Sequence, residues 1–465
     1  MKPTLTGLLA ALAILIVAGI FLIPRLALAI FALFLVLQPA IVNLAGGRDT
    51  AIGNALQRVD EIILLAGALR VALSIGAGRM RRYRQWIGLA AAFVFAGSIS
   101  GIAQHVSLST TMLGAFLAIK FPLFFLTGLT VPWAQADARR IVKTAVGAAP
   151  IIVALGLILW LAPNEIQAVF VDPVAALEEG FSRGGMTAMT APFSHPGQLG
   201  WALAFCGCFA VAALSARAIG AAASATSLGA SLFGIVASLR RKPLIGLPLA
   251  VLFGLGAGLK RRQRMYALGV ASVLLALLGV VARSRVEVII ADTAANYLDP
   301  YSPTAARTML YATGWDIGAK HFPLGVGFGR FGGFVSQLRY SPVYDEYGLS
   351  TTYGLSPDSP YYIEDTYWPH ILGESGWLGI AIIAGMLILL WRSTMEVWKR
   401  ETDPWLRALA FGAAMALVEV TVESAAAPVF EGTLFAYVTA LPLAAALVIS
   451  DPHRRDQDQR RGSAR

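Results

Sequence analysis

The stretch QLGWALAFCGCFAVAALSA, from Gln198 to Ala216, holds no charged residue across its 19 positions. A helix of that length rises about 28 Å, close to the roughly 30 Å hydrocarbon core of a bilayer. Similar apolar runs recur along the chain, at 4–23, 26–45, 60–77, 87–105, 110–131, 143–163, 198–216, 220–238, 243–259, 265–283, 371–392, 405–424 and 430–449. These runs are too long for barrel strands, and in lipid only helices and closed barrels satisfy their own backbone, so each is expected to be a helix. The predicted fold is therefore an all-α polytopic transmembrane bundle of about 12–13 spans. Composition agrees: 57% of residues are hydrophobic, 14% are charged and the mean hydropathy is +0.67, against about 25% charged in a soluble domain. The first run is read as an uncleaved span, because a second follows at once. Cys206 and Cys208, the only cysteines, fall inside one span and suggest neither a disulfide framework nor a zinc site.

The net charge of +10 is strung along short connections, the pattern of the positive-inside rule and not of a nucleic-acid-binding face. Basic clusters occur at Arg79–Arg84, Arg139–Lys143, Lys260–Arg264, Lys399–Arg400 and Arg454–Arg461. Placing these in the cytoplasm puts the loops 164–197 and 284–370 on the opposite face. Two features strain the scheme. Arg240, Arg241 and Lys242 fall outside by parity unless 220–259 is a re-entrant hairpin, and three spans before Arg79 put the N-terminus outside. The chain divides into N-terminal helices (1–163), a first outward loop (164–197), central helices (198–283), a large outward loop containing short helices (284–370), C-terminal helices (371–450) and a polar, disordered cytoplasmic tail (451–465).

Long loops in a compact protein usually carry function. In the larger one, Ser302 to His321 reads as a helix resting on the membrane surface, and His321 to Gly333 is glycine-rich. Those glycines lack the surrounding βαβ unit that a dinucleotide fingerprint requires. The loop is rich in Tyr and Trp, including Tyr311 and Trp315. Such rings suit either the apolar faces of sugars or an interfacial belt. Arg183, Arg307, Arg330 and Arg339 are candidates for phosphate recognition, since a guanidinium binds phosphate oxygens in two-point fashion. Glu364, Asp365 and His370 gather where the larger loop re-enters the membrane, and His195 lies where the smaller one does. A carboxylate or imidazole there suits a general base, and Asp365 equally suits a helix cap. No tight His/Asp/Glu spacing suggests a metal, and no cofactor is expected. Within the spans, Arg70, Lys120, Glu419 and Glu423 are expected to face a cavity or one another.

Three segments carry a resemblance: Phe193-Ser194-His195-Pro196-Gly197-Gln198-Leu199-Gly200 opening a span; Arg307 followed by Pro323-Leu324-Gly325-Val326-Gly327-Phe328-Gly329-Arg330-Phe331; and Ile371-Leu372-Gly373-Glu374-Ser375-Gly376-Trp377-Leu378-Gly379. In order and spacing, over roughly residues 180–400, they resemble the superfamily of O-antigen ligases and Wzy-type polysaccharide polymerases. The resemblance implies a GT-C-like glycosyltransferase in the bacterial inner membrane. It would move a glycan from undecaprenyl pyrophosphate with inversion and without a metal, on the periplasmic face. Its loop arginines are implied to hold the pyrophosphate, which matches Arg183 and Arg307 here, while Arg330, His195, Glu364, Tyr311 and Trp315 are further candidates for pyrophosphate or glycan contact from their residue types and places in the loops. The ligases carry a His-Asn pair where this chain has Asp365-Thr366, and Asp365-Thr366-Tyr367-Trp368-Pro369 is more similar to repeat-unit polymerases of exopolysaccharide or capsule. The expected activity is therefore polymerisation of lipid-linked oligosaccharide repeats, with Asp365 the first candidate base and His370 the second. A ligase acting on lipid A-core is the alternative, and a flippase of lipid-linked sugars is the alternative of another class. Expected partners are the lipid-linked oligosaccharide, the bilayer, a chain-length regulator and export proteins, with no nucleic acid.

Overall fold

The computed structural model describes residues 3–47, 50–171, 181–183, 186–258 and 306–452. The run 265–283, the cluster Lys260–Arg264, the helix start at Ser302, and the arginines from Arg454 onward lie outside the described residues. Every other apolar run is helical, the run 110–131 as two helices, and shorter helices lie between them. In chain order these are α1 (Pro3–Leu22), α2 (Pro24–Leu44), α3 (Ala51–Gln57), α4 (Val59–Gly76), α5 (Arg84–Ala103), α6 (Leu108–Ala118), α7 (Lys120–Thr130), α8 (Gln135–Trp160) and α9 (Asn164–Phe170). They continue with α10 (Pro196–Ala216), α11 (Ala221–Ala237), α12 (Arg241–Gly258), α13 (Ala306–Lys320), α14 (Phe334–Leu338), α15 (Val343–Glu346), α16 (Trp368–Arg400), α17 (Pro404–Glu423) and α18 (Thr433–Ile449). The protein is an all-α polytopic membrane protein.

Among the described residues, six helices are long and apolar enough to cross a bilayer, or seven if α6 and α7, bent by 56° at Ile119, count as one broken span. That is fewer than the 12–13 apolar runs of the sequence, in part because the run 265–283 lies outside the described residues. Helix α4 carries Asp60, Glu61 and Arg70, and α11 and α18 have only 17 residues each. Helix α10 is central: 83% of its apolar window is buried, against 28% for α2, so a helix apolar on all sides sits inside the bundle and not at its lipid face. Helix α17 packs beside it, with Gly412 closely against the Phe209 ring.

Ion pairs and ring contacts define the two ends of the bundle. At one end Arg82 pairs with Asp451, Arg400 donates to the Ser450 carbonyl (3.2 Å), Arg25 meets Asp137 (3.3 Å), and Arg139 and Lys143 lie over the Trp405 ring. The clusters at Arg79–Arg84, Arg139–Lys143 and Lys399–Arg400 therefore share one end. Because Arg25, in the first turn of α2, lies at that end, α1, α2 and α4 alternate in direction, and the N-terminus falls at the opposite end. The cluster Arg240–Lys242 also falls at the opposite end, beside the loops, so α11 and α12 together do not return it to the basic end.

The large loop folds on its own core of Ala306, Leu310, Ile317, Val326, Phe331, Val343, Tyr344, Leu349, Leu355 and Ile363. Tyr344 and Tyr367 are buried, which makes them packing residues and neither a sugar platform nor a membrane belt. Tyr353 and Tyr361 remain exposed, with rings 6.4 Å apart. Tyr297 and Tyr301 lie outside the described residues. Helix α13 rests on α16 through Gly314 and Gly318, whose missing side chains admit Pro369 and Leu372. Helix α16 is broken at Gly376 (φ 65°, ψ −166°), and the glycine-rich segment enters the break. Val326 and Gly327 donate their backbone N–H groups to the carbonyls of Gly373 (2.8 Å) and Glu374 (2.9 Å), and Leu378 donates to Pro323 (3.1 Å). Carbonyls orphaned by the break thus find partners, as buried backbone groups must. The glycines serve this docking: Gly325, Gly327, Gly329 and Gly332 all have positive φ, open to glycine at little cost.

Candidate functional site

The loop end of the bundle gathers basic side chains from three separate stretches. Helix α10 begins at Pro196, and His195 caps it by accepting the Gly197 N–H at Nδ1 (3.0 Å). The Nε2 of His195 lies 3.0 Å from Nη2 of Arg240. The turn between α11 and α12 supplies Arg240, and the first turn of α12 supplies Lys242. Lys242 donates to the Ala426 carbonyl (2.6 Å), lies 3.9 Å from a Glu423 oxygen and is within electrostatic reach of Arg307, Asp365 and Arg240. Arg307, in the first turn of α13, is ion-paired with Asp365. Sequence reading had singled out His195, Arg307 and Asp365. It missed Arg240 and Lys242 as site residues, although their breach of the charge pattern was the visible sign.

The smaller loop approaches the same place. Ser182–Arg183 and Met186–Thr187 form a two-residue antiparallel ladder, and Met189 donates its N–H to the carbonyl of Ala237 at the end of α11 (2.9 Å). The Phe181 ring lies edge-on to His195 at 5.5 Å. The backbone of Arg183 thus belongs to a hairpin next to the His195–Arg240 contact.

The acidic segment before α16 divides into three environments. Asp365 is held by Arg307. His370 is buried, with Nδ1 2.5 Å from the Phe331 carbonyl and Nε2 2.7 Å from Glu431, so both ring nitrogens are committed to holding the loop. Glu374, also buried, accepts the Phe331 N–H (3.0 Å) and completes this network. Glu364 is half-buried, and burial, reinforced by Glu431 and Asp365, pushes its carboxyl up to about 7 against the pull of His370 and Lys120. Lys120, at the start of α7, donates to Thr433 (3.1 Å) and lies 3.8 Å from Asp60.

Other predicted residues stand further off. Tyr311 donates its hydroxyl to the Ala425 carbonyl (2.7 Å), on the segment that also receives Lys242. Trp315 is 62% exposed and packs edge-on against Trp377 (4.9 Å), the setting of an interfacial ring. Arg330 belongs to the glycine-rich segment, whose Gly329 packs on Thr110. Within the bundle, Glu423 faces Lys242, Glu419 is buried against α12 at Gly246, and Arg70 donates to Thr130 Oγ1 (2.8 Å) and to the Ile20 carbonyl (2.8 Å). No family model and no curated protein matches this chain.

Proposed function

We propose that this protein is a polymerase of lipid-linked oligosaccharide repeats, working without a metal or cofactor at the loop end of the bundle, on the periplasmic face of a bacterial inner membrane. The observation that carries the reading is the convergence of His195, Arg240, Lys242 and Arg307 beside the acidic pair Glu364-Asp365. A basic pocket at the membrane face suits an anionic lipid headgroup, and the acids beside it suit activation of a hydroxyl.

In the reaction, a sugar hydroxyl of one repeat attacks the anomeric carbon of a chain held on undecaprenyl pyrophosphate. The carbon–oxygen bond to the pyrophosphate breaks, and its electron pair leaves with the phosphate oxygen. The leaving group thereby gains a negative charge, and cations already in place stabilise that charge more than they stabilise the substrate. Arg307 and Arg240 offer planar forks and Lys242 a compact charge to this end. The exposed pair Tyr353 and Tyr361 offers ring faces to the growing glycan.

A strain lacking the gene tests the class of function. A polymerase defect strands single repeats on their lipid at the outer face of the inner membrane, where an added periplasmic glycosidase reaches them. Repeats stranded at the inner face would indicate a flippase, and finished polymer left unattached to lipid A-core would indicate a ligase.

A further inference from the structure

We propose that Glu364 is the group that takes the proton from the attacking hydroxyl, with Asp365 positioning Arg307. The inference rests on the polymerase reading. Three titratable side chains occupy the segment where a base is expected, and their surroundings differ. The Asp365 carboxylate is committed to Arg307, and spending it on a proton would release a cation that the leaving group needs. His370 is buried with both nitrogens engaged, which keeps it from any hydroxyl outside the network. Glu364 is within electrostatic reach of both. Among the described residues no hydrogen bond or ion pair engages its carboxylate, and it is only half-buried.

The groups facing Glu364 from the elements packed around it are Glu431 before α18, Asp365 on its own segment, His370 on α16 and Lys120 on α7. Burial, reinforced by the two carboxylates, opposes its ionisation against the pull of His370 and Lys120, so it titrates in the range where a base can both exist as the carboxylate and hold a proton. As the new glycosidic bond forms, the hydroxyl proton passes to a Glu364 oxygen while the bond to pyrophosphate breaks. The proton then returns to water before the next repeat enters. Asp365→Asn is therefore expected to weaken donor binding, and loss of the Glu364 carboxylate to slow transfer.

The test is the pH–rate profile of the full-length protein in nanodiscs with an undecaprenyl-pyrophosphate-linked repeat, alongside donor binding measured at equilibrium. For the wild type, transfer rises with pH through about 7, where Glu364 ionises. Glu364→Gln should bind donor normally but transfer about a hundred-fold slower or worse, and the rise with pH should disappear. Glu364→Asp should keep partial transfer and a pH-dependent rise, which separates a proton-accepting carboxylate from a purely structural one. Wild-type transfer with Glu364→Gln retaining its rate and its pH profile would overturn this assignment while leaving the polymerase reading intact. Absence of transfer by the wild type would overturn both.

Discussion

Replacing Gly376 by alanine tests whether the docked glycine-rich segment is what shapes the loop end. Gly376 holds φ 65° and ψ −166° inside α16, a combination open in practice only to glycine. A β-carbon there would overlap the Pro323 carbonyl oxygen and lie 2.6 Å from the Leu324 carbonyl carbon, both backbone atoms that no side-chain rotation can move aside. Backbone strain at such a position costs about 1–3 kcal/mol. Expelling Pro323 and Leu324 would also break the bonds from Val326 to Gly373, Gly327 to Glu374 and Leu378 to Pro323, each contributing about 1 kcal/mol. Together the loss is about 4–6 kcal/mol, enough to raise the undocked population by roughly three to four powers of ten. Limited proteolysis of the loop in nanodiscs, followed with thermal unfolding, reads this directly. Gly385→Ala is the control, because a β-carbon at Gly385 on the same helix meets nothing within 4 Å. Equal protease resistance and melting in Gly376→Ala and Gly385→Ala would refute the docking argument.

Other expectations follow from the same geometry. Arg240→Ala or Lys242→Ala should weaken binding of the lipid-linked donor by roughly ten- to a hundred-fold, the cost of one charge-assisted contact, as measured by titration in nanodiscs. Arg307→Lys should keep the charge but lose the two-point fork, leaving binding measurably weaker than wild type. His370→Gln should act on stability more than chemistry, leaving Glu431 without its buried partner at a cost of about 3–5 kcal/mol, and the double variant with Glu431→Gln should recover part of the melting loss. A single cysteine at Tyr361, 61% exposed, should react with an impermeant thiol reagent from the periplasmic side, and one at the exposed Arg81 only after the inner membrane is opened.

The helices were legible because apolar runs of lipid-spanning length have no other stable form, and the wholly uncharged Gln198–Ala216 became the most buried of them. The break at Gly376 was not legible: Ile371 to Gly379 reads as the start of a span, and only its contact with Pro323, some fifty residues earlier, reveals why glycine stands there. Arg240 and Lys242 were visible as a violation of the charge pattern, yet their role depended on which loops met them. Asp365 stood out by its position near a helix start, whereas its pairing with Arg307 is a long-range contact that spacing does not encode. The tyrosines of the loop misled in another way. An aromatic residue in a polar loop signals a ligand only if the loop has no core, and Tyr344 shows that this one does.

The most direct measurement is reconstitution: purified protein in nanodiscs, given an undecaprenyl-pyrophosphate-linked repeat and no metal, with products resolved by size. The account predicts a ladder of glycans lengthening by one repeat at a time, released undecaprenyl pyrophosphate in matching amount, and loss of both in Arg307→Ala. A donor that is bound but never extended, extended equally well by Arg307→Ala, or moved intact across the bilayer would contradict it.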